Sequence, residues 1–179
     1  GCLPPSSFVA DSVADDAIMY KWSTRDYESS YRLKVFDAEV EDALVGTTPA
    51  MVDSVVKTNN FLLEGLAPDR PFYAYIAPIC EGGEEAWSNV LLVRTACSEA
   101  YSLPYREDFN TWVYGQSGIC WTMLSNHSTP RVYKSESYVL DGQYLEASCN
   151  TSGSGGKQWQ YYALPKMDAR LDTVQLSMM

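Results

Sequence analysis

The residue types that most often carry out catalysis are scarce in this sequence. His127 is the only histidine, and it lies in an Asn-His-Ser-Thr stretch that predicts a loop. A zinc site needs further ligands beside such a histidine, and a Ser-His-Asp relay needs a nucleophile positioned against it. The neighbouring sequence supplies neither. We therefore expect His127 to be a solvated loop residue without a catalytic role.

Acidic residues occur as adjacent pairs, at Asp15-Asp16, Glu84-Glu85 and Glu107-Asp108. A glycoside hydrolase needs two carboxyl groups on opposite sides of a cleft. Neighbours on a strand instead point to opposite faces of the sheet. These pairs indicate turns and solvated edges, and the sequence predicts a chain that is not an enzyme.

Side-chain oxygens in the second half of the chain are candidates for holding a structural ion. Hard oxygen ligands suit Ca²⁺, and the candidates are Glu107, Asp108, Asn110 and Asp141. No loop spacing typical of calcium sites accompanies them. The sequence predicts no cofactor. A structural calcium ion held by these oxygens is the one metal that it allows.

The second half of the chain is rich in aromatic side chains. Exposed indole and phenol rings stack on sugar faces and anchor protein interfaces. We expect Trp121 and Trp159 to belong to the core. Trp112 and Tyr114 flank the turn at Gly115, and they are the better candidates for exposed contacts with a ligand. The candidate ligand-binding aromatics are Trp112, Tyr114, Trp159 and Tyr161.

Composition and charge narrow the class of protein. The chain is 46% hydrophobic, carries a net charge of −10 and has no cluster of basic residues. Nucleic-acid and anionic-membrane binding depend on such clusters, so neither is expected. No apolar run approaches the roughly 18 residues of a membrane span, and no signal peptide is evident. We expect a soluble piece of a larger protein.

The five cysteines contain no Cys-x-x-Cys pair. This usage favours disulfides in an oxidising compartment over a zinc site, and the odd count leaves one cysteine unpaired. The chain is therefore expected outside the cell or on its surface.

Alternating hydrophobicity predicts strands throughout the first half of the chain. Residues 72–77 alternate in the period of a half-buried strand, and Ile18, Tyr20 and Trp22 alternate in the same way. Arg32 and Lys34 are expected to point outward from a third strand. Seven short strands separated by turns predict a two-sheet sandwich.

Residues 1–97 resemble a fibronectin type III domain. The resemblance rests on Leu63-x-Gly65-Leu66-x-Pro68 before the sixth strand. Ala86-Trp87-Ser88 and Thr95-Ala96-Cys97 narrow it to modules of large Bacteroidetes surface proteins. It implies an immunoglobulin-like sandwich. Phe72 replaces the usual corner tyrosine, so the corner hydroxyl bond is missing or comes from Tyr73.

The same resemblance implies a Cys2–Cys80 disulfide, because these modules bring a first-strand cysteine to the end of the sixth strand. The alternative is that Gly1-Cys2 is the remnant of a lipoprotein cleavage site with Cys2 lipidated.

Residues 98–179 resemble the amino-terminal part of a MAM-like or cleaved-adhesin-like jelly roll. The resemblance rests on Leu103-Pro104-Tyr105-x-Glu107-Asp108-Phe109, Cys120-Trp121, Gly142-x-x-Leu145 and Ala163-Leu164-Pro165. We expect an incomplete, truncated jelly-roll-like sandwich, with strands at 132–133, 138–140, 144–147 and 159–164. Its last strand, predicted at 171–178, would leave an unpaired edge that favours self-association.

The cysteines of this second domain have two candidate pairings. Cys97 begins the domain, so Cys97–Cys120 is favoured and leaves Cys149 unpaired. Cys120–Cys149 stays open, because connectivity cannot be deduced from sequence.

Short glycosylation patterns are also present. Ser12, Ser54 and Thr173 lie in Asp-Ser/Thr-apolar triplets that resemble O-glycosylation sites of Bacteroidetes secreted proteins. The N-glycosylation signal is matched by Asn126-His127-Ser128 and Asn150-Thr151-Ser152. A eukaryotic receptor ectodomain therefore stays an alternative class of protein.

These features together predict a non-catalytic spacer, adhesion or carbohydrate-binding region of a large bacterial surface protein, secreted or attached to the outer membrane. Its expected partner is a host or dietary glycan or an extracellular protein, and no membrane insertion is expected. The alternative function is a substrate-targeting region of a secreted protease or glycoside hydrolase whose catalytic domain lies outside this chain.

Overall fold

The computed structural model describes residues 2–83, 85–112, 120–126, 131–134, 142–146, 157–170, 172 and 174–178. The chain divides into two compact units, Gly1–Ala96 and Cys97–Met179. Regular structure in the described residues is mainly β-strand, and a short 3₁₀ turn lies at Asp42–Leu44. The prediction of an all-β chain is confirmed.

The first unit is built from strands that form two antiparallel sheets. The strands are β1 (Phe8–Val13), β2 (Ala17–Trp22), β3 (Tyr31–Phe36), β4 (Val52–Val56), β5 (Asn60–Glu64), β6 (Pro71–Pro78) and β7 (Leu91–Arg94). One sheet has the order β1-β2-β5, and the other has the order β4-β3-β6-β7. A three-stranded sheet therefore faces a four-stranded sheet.

Alternate residues of both sheets meet in one core. Trp22, on β2, is 2% exposed and packs edge to face against Tyr31 on β3. The buried members of this core are Ile18, Tyr20, Trp22, Tyr31, Leu33, Val35, Leu63, Leu66, Phe72, Ala74, Ile76 and Val93. Two sheets with a shared apolar core form an immunoglobulin-like β-sandwich, as predicted.

The outer face of the four-stranded sheet carries a second, smaller core. Phe36, Tyr75 and Val45 are buried there. Val45 belongs to the segment 37–50, which connects β3 to β4 and which we name the strap. The Tyr75 hydroxyl lies 3.2 Å from the Val40 carbonyl oxygen and 3.3 Å from Asp42 Oδ1. The strap thus covers part of a sheet face that would otherwise contact water.

Lys34 lies on the outer face of the sheet, as expected, but it is buried beneath the strap. Its ammonium group donates to the carbonyl oxygens of Val45, Gly46 and Thr48 at 2.9, 3.0 and 3.2 Å. The side chain is only 3% exposed, and Nζ lies 5.9 Å from the centroid of the Trp87 ring. The alternation of side chains along β3 correctly places Lys34 on the outer face. It does not predict the burial of Lys34, because a loop that covers a sheet face produces no periodic pattern in the sequence.

The corner before β6 is closed by a hydroxyl from the residue that follows β7. Thr95 follows β7 and is fully buried. Its Oγ1 donates to the Ala67 carbonyl oxygen at 2.7 Å and accepts from the Arg70 amide at 3.0 Å. Phe72 is 5% exposed and packs in the core. The corner hydrogen bond is therefore supplied by Thr95 rather than by Tyr73.

The second unit contains two short antiparallel ladders in its described residues. β8 (Thr122–Ser125) pairs with β11 (Gln160–Ala163), and β9 (Arg131–Lys134) pairs with β10 (Gln143–Glu146). These positions agree with the strands expected near 132–133, 144–147 and 159–164. The incomplete jelly roll stays a prediction.

The strand expected at 171–178 is wrong where that segment is described. Residues 174–178 form no strand, although Val174, Leu176 and Met178 alternate with polar residues. Leu176 and Met178 are 65% and 85% exposed. Alternation alone does not form a strand when no partner offers hydrogen bonds. The unpaired strand edge on which self-association depended is therefore missing from these residues.

Candidate functional site

Trp112 is buried, and its expected role as an exposed contact is wrong. The indole is 4% exposed. It packs edge to face on Phe109 and Trp121, with ring centroids at 5.0 and 5.7 Å. Packing against two other aromatic rings removes the indole from water, whereas a side chain that projects from a turn stays exposed. Tyr114 lies outside the described residues.

Trp159 and Tyr161 are exposed instead, so the expectation of a buried Trp159 is also wrong. Their side chains are 41% and 62% exposed. Their ring centroids are 5.0 Å apart, with 47° between the ring planes. Leu124, 57% exposed, pairs with Tyr161 across the β8–β11 ladder. We name Trp159, Tyr161 and Leu124 the aromatic platform.

Strand periodicity explains why these three residues share one face. Residues 159 and 161 are two apart along the chain, and Leu124 is the cross-strand partner of Tyr161. On the opposite face, the Tyr162 hydroxyl lies 3.2 Å from the carbonyl oxygen of Glu146. The half-buried Met123 pairs with Tyr162 on that inner face. The ladder therefore turns Tyr162 inward and presents the platform to solvent.

Asn126 adjoins the platform and was predicted only as part of an N-glycosylation signal. Its Oδ1 accepts the Trp159 amide hydrogen at 2.9 Å, and its Nδ2 donates to the Lys157 carbonyl oxygen at 2.8 Å. The sequence carried no sign of this role, because the partners are more than 30 residues away.

Both disulfides join cysteines of the same unit. Cys2 bonds to Cys80 with Cα atoms 6.0 Å apart, and Cys97 bonds to Cys120 with Cα atoms 5.6 Å apart. These are the implied Cys2–Cys80 pair and the favoured Cys97–Cys120 pair. A lipid thioether would require the Cys2 sulfur that the disulfide uses. Cys149 lies outside the described residues.

A charged network fixes the loop between β2 and β3. Arg25 donates to Glu28 at 2.7 Å and to the carbonyl oxygens of Leu3 and Pro4 at 3.1 Å. Tyr31 donates to the other Glu28 oxygen at 2.6 Å. This network ties the loop to the amino-terminal segment that Cys2 also anchors.

The network shifts the pKa of both Glu28 and Tyr31. Burial alone would raise the pKa of Glu28, but the hydrogen bonds from Tyr31 and Arg25 outweigh it and lower that pKa. Burial, together with the bond to Glu28, raises the pKa of Tyr31 to about 12. The carboxylate therefore stays ionised at neutral pH, and the phenol stays protonated.

The candidate calcium ligands mostly bond to the backbone. Glu107 accepts the Phe109 amide hydrogen at 2.8 Å, and Asp108 accepts that of Asn110 at 3.0 Å. Asn110 Oδ1 accepts the Gln143 amide hydrogen at 2.9 Å. Asp141 and His127 lie outside the described residues. In the described part of the chain, no three His, Cys, Asp or Glu residues group closely enough to hold a metal ion.

The predicted O-glycosylation sites differ in accessibility. Ser12 is exposed at the irregularity in β1. Ser54 is half-buried, lies opposite Leu33 and shares a strand face with Val52 and Val56, which pack on the core. A glycan on Ser54 would have to leave from the core side of an edge strand, so the folded chain disfavours that site. Thr173 lies outside the described residues.

Comparison with solved structures returns fibronectin type III domains that cover about half of this chain. The chain is similar to the fn3 domain of the human collagen alpha-1(XX) chain, at 18% identity and TM-score 0.45, covering 55% of this chain and 88% of that one. A second structure, of an FN3 domain of human collagen XX, has 25% identity and TM-score 0.42, covering 52% and 92%. The FN5 domain of Drosophila Lar has 18% identity and TM-score 0.41, covering 55% and 100%.

No family model and no curated protein matches the chain. The class that the fold itself defines is an immunoglobulin-like β-sandwich, based on its sheet order and shared core. Within the described residues, no helix is long and apolar enough to cross a membrane.

Proposed function

We propose that this chain is a non-catalytic binding and spacing region of an extracellular protein, in which the aromatic platform of the second unit binds a glycan. The observation that carries this proposal is the exposure of Trp159 and Tyr161 as one contiguous pair. Large rings held in contact with each other and left open to water are costly unless a partner covers them.

A sugar fits this surface by its chemistry. Pyranose rings present C–H faces that pack on aromatic rings, and their hydroxyl groups stay in solvent around the contact. The platform side chains are uncharged, which favours a neutral saccharide over a charged polymer. The two ring centroids are 5.0 Å apart, so the rings form one surface rather than two separate subsites.

The two disulfides support the extracellular part of the proposal. Such bonds form and persist in oxidising compartments and are rare in the cytosol. The first unit, a sandwich tied at one pole by Cys2–Cys80, suits the role of a spacer that holds a neighbouring binding unit away from an attachment point. We propose a secreted or surface-attached location on this basis.

A second candidate function is a structural spacer that binds no ligand. The burial of Trp112 favours it, because one of the two aromatics first expected to contact a ligand belongs to the core. The exposed pair at 159 and 161 is the observation that distinguishes the two functions.

A glycan array probed with the whole chain tests the proposal. Trp159→Ala and Tyr161→Ala should each abolish or strongly reduce the signals that the parent protein gives, without lowering its melting temperature. Tyr27→Ala is the matched control, because Tyr27 is 69% exposed and lies in the other unit. Signals that survive both platform substitutions would place the glycan elsewhere, and a silent array from folded protein would favour the spacer.

A further inference from the structure

Asn126 joins β8 to the residues that precede β11. The β8–β11 ladder ends with the pair Ser125 and Gln160. Beyond that pair, the Asn126 side chain bonds to the Trp159 amide at 2.9 Å and to the Lys157 carbonyl oxygen at 2.8 Å. Its backbone amide also lies 3.4 Å from the Trp159 carbonyl oxygen. One asparagine therefore continues the pairing past the last ladder position.

Trp159 depends on these bonds because it lies outside the strand that carries Tyr161. The direction of a side chain follows its backbone, so the indole can meet the Tyr161 ring only while the segment 157–159 continues the line of β11. The backbone bond to Trp159 is long for a hydrogen bond, at 3.4 Å. The two shorter side-chain bonds hold the segment more firmly.

We propose that Asn126 is a positioning residue of the aromatic platform, fixing the backbone of Trp159 so that its indole and the Tyr161 ring form one surface. This inference rests on the proposed function, and it assigns the Asn126 amide a role other than that of a glycan acceptor. An acceptor asparagine is modified on Nδ2, the same nitrogen that bonds to Lys157 here. A glycan on Asn126 would disturb this bond and stand beside the binding surface.

The test compares Asn126→Ala and Asn126→Asp with the parent chain, all produced in a host that lacks N-glycosylation. Amide hydrogen exchange by NMR reports on the Trp159 amide without any ligand. Affinity is measured for a soluble neutral oligosaccharide selected on the array. Asn60→Ala is the control, because the Asn60 side chain is exposed and its amide donates to the adjacent Asn59 at 3.3 Å.

We expect Asn126→Ala to lower the protection of the Trp159 amide at least tenfold and to weaken glycan affinity about tenfold. Asn126→Asp keeps an acceptor for that amide but loses the donor to Lys157, so its protection should lie between alanine and the parent chain. It also supplies a measurement if the alanine variant fails to fold. Asn60→Ala should change neither quantity.

The two proposals fail in different ways. If Trp159 protection and glycan affinity are unchanged in Asn126→Ala, the positioning role is wrong while glycan binding stands. If the parent chain binds no glycan, the proposed function is wrong, and the exchange measurement still decides whether Asn126 holds Trp159. A loss of protection with unchanged affinity would also overturn the positioning role.

Discussion

Replacing Lys34 by methionine should destabilise the first unit strongly. Methionine keeps most of the apolar stem but removes the ammonium group that bonds to three carbonyl oxygens. Each hydrogen bond to a charged group contributes about 1.5–3 kcal/mol. The three share one ammonium, whose desolvation offsets part of their sum. Removing the ammonium leaves these carbonyl oxygens without its N–H donors, which costs about 1–3 kcal/mol for a buried group left unsatisfied, and we expect a net loss of about 3 kcal/mol.

Lys21→Met is the matched control for that change. The Lys21 side chain is 53% exposed, and its ammonium nitrogen lies 4.0 Å from Asp11 Oδ1. An exposed pair of this kind contributes little, so its loss should change the unfolding free energy by less than about 0.5 kcal/mol. The two substitutions are chemically identical and differ in burial, so their difference measures the strap contact together with the 3.7 Å ion pair between Lys34 and Asp53.

Urea unfolding of the whole chain, monitored by hydrogen exchange with mass spectrometry, gives the free energy of unfolding of each unit separately. Peptides from residues 42–48 should exchange faster in Lys34→Met than in Lys21→Met, because the strap loses its attachment to β3. Domains of this size are stable by about 5–15 kcal/mol, so the predicted loss is a large part of the total. Equal free energies for the two variants would refute the argument that Lys34 holds the strap.

Three further predictions concern buried polar groups of the same unit. Tyr20→Phe should leave the unfolding free energy unchanged or raise it by about 1 kcal/mol, because the Tyr20 hydroxyl is buried and has no hydrogen-bond partner in the described residues. In the same melting assay Tyr31→Phe should lower stability, since it breaks the bond to Glu28, and the opposite order would contradict this account. The lowered pKa of Glu28 predicts that its contribution to stability is complete above the ordinary carboxyl pKa, near 4.5, and is lost as pH falls through the lower folded-state value. Glu28→Gln should therefore show a shallower loss of stability on acidification than the parent chain in pH-dependent urea titrations, and identical slopes would count against the Arg25 network.

The sandwich could be predicted from sequence because its signals are local. Ile18, Tyr20 and Trp22 alternate along one strand, and each one is buried in the structure. The Cys2–Cys80 pair could be expected only from the resemblance to known modules, since spacing alone permits several connectivities.

The candidate site was harder to predict because solvent exposure is set by tertiary contacts that local sequence patterns do not show. Trp112 and Trp159 have similar local sequence contexts, yet Trp112 is enclosed by Phe109 and Trp121 whereas Trp159 is left open. Lys34 shows the same limit, because its burial depends on the strap. Asn126 matches a short glycosylation signal, which is silent about hydrogen bonds to residues that are more than 30 positions away.

The most direct test of glycan binding through the aromatic platform is isothermal titration of an array-selected oligosaccharide into the parent chain, Trp159→Phe and Trp159→Ala. Phenylalanine retains a stacking face, so it should keep most of the affinity, whereas alanine should lose at least tenfold, or about 1.4 kcal/mol. Affinities that are the same for all three proteins would contradict the platform as the binding site. No heat of binding from the folded parent chain, with any neutral oligosaccharide of the array, would contradict glycan binding itself.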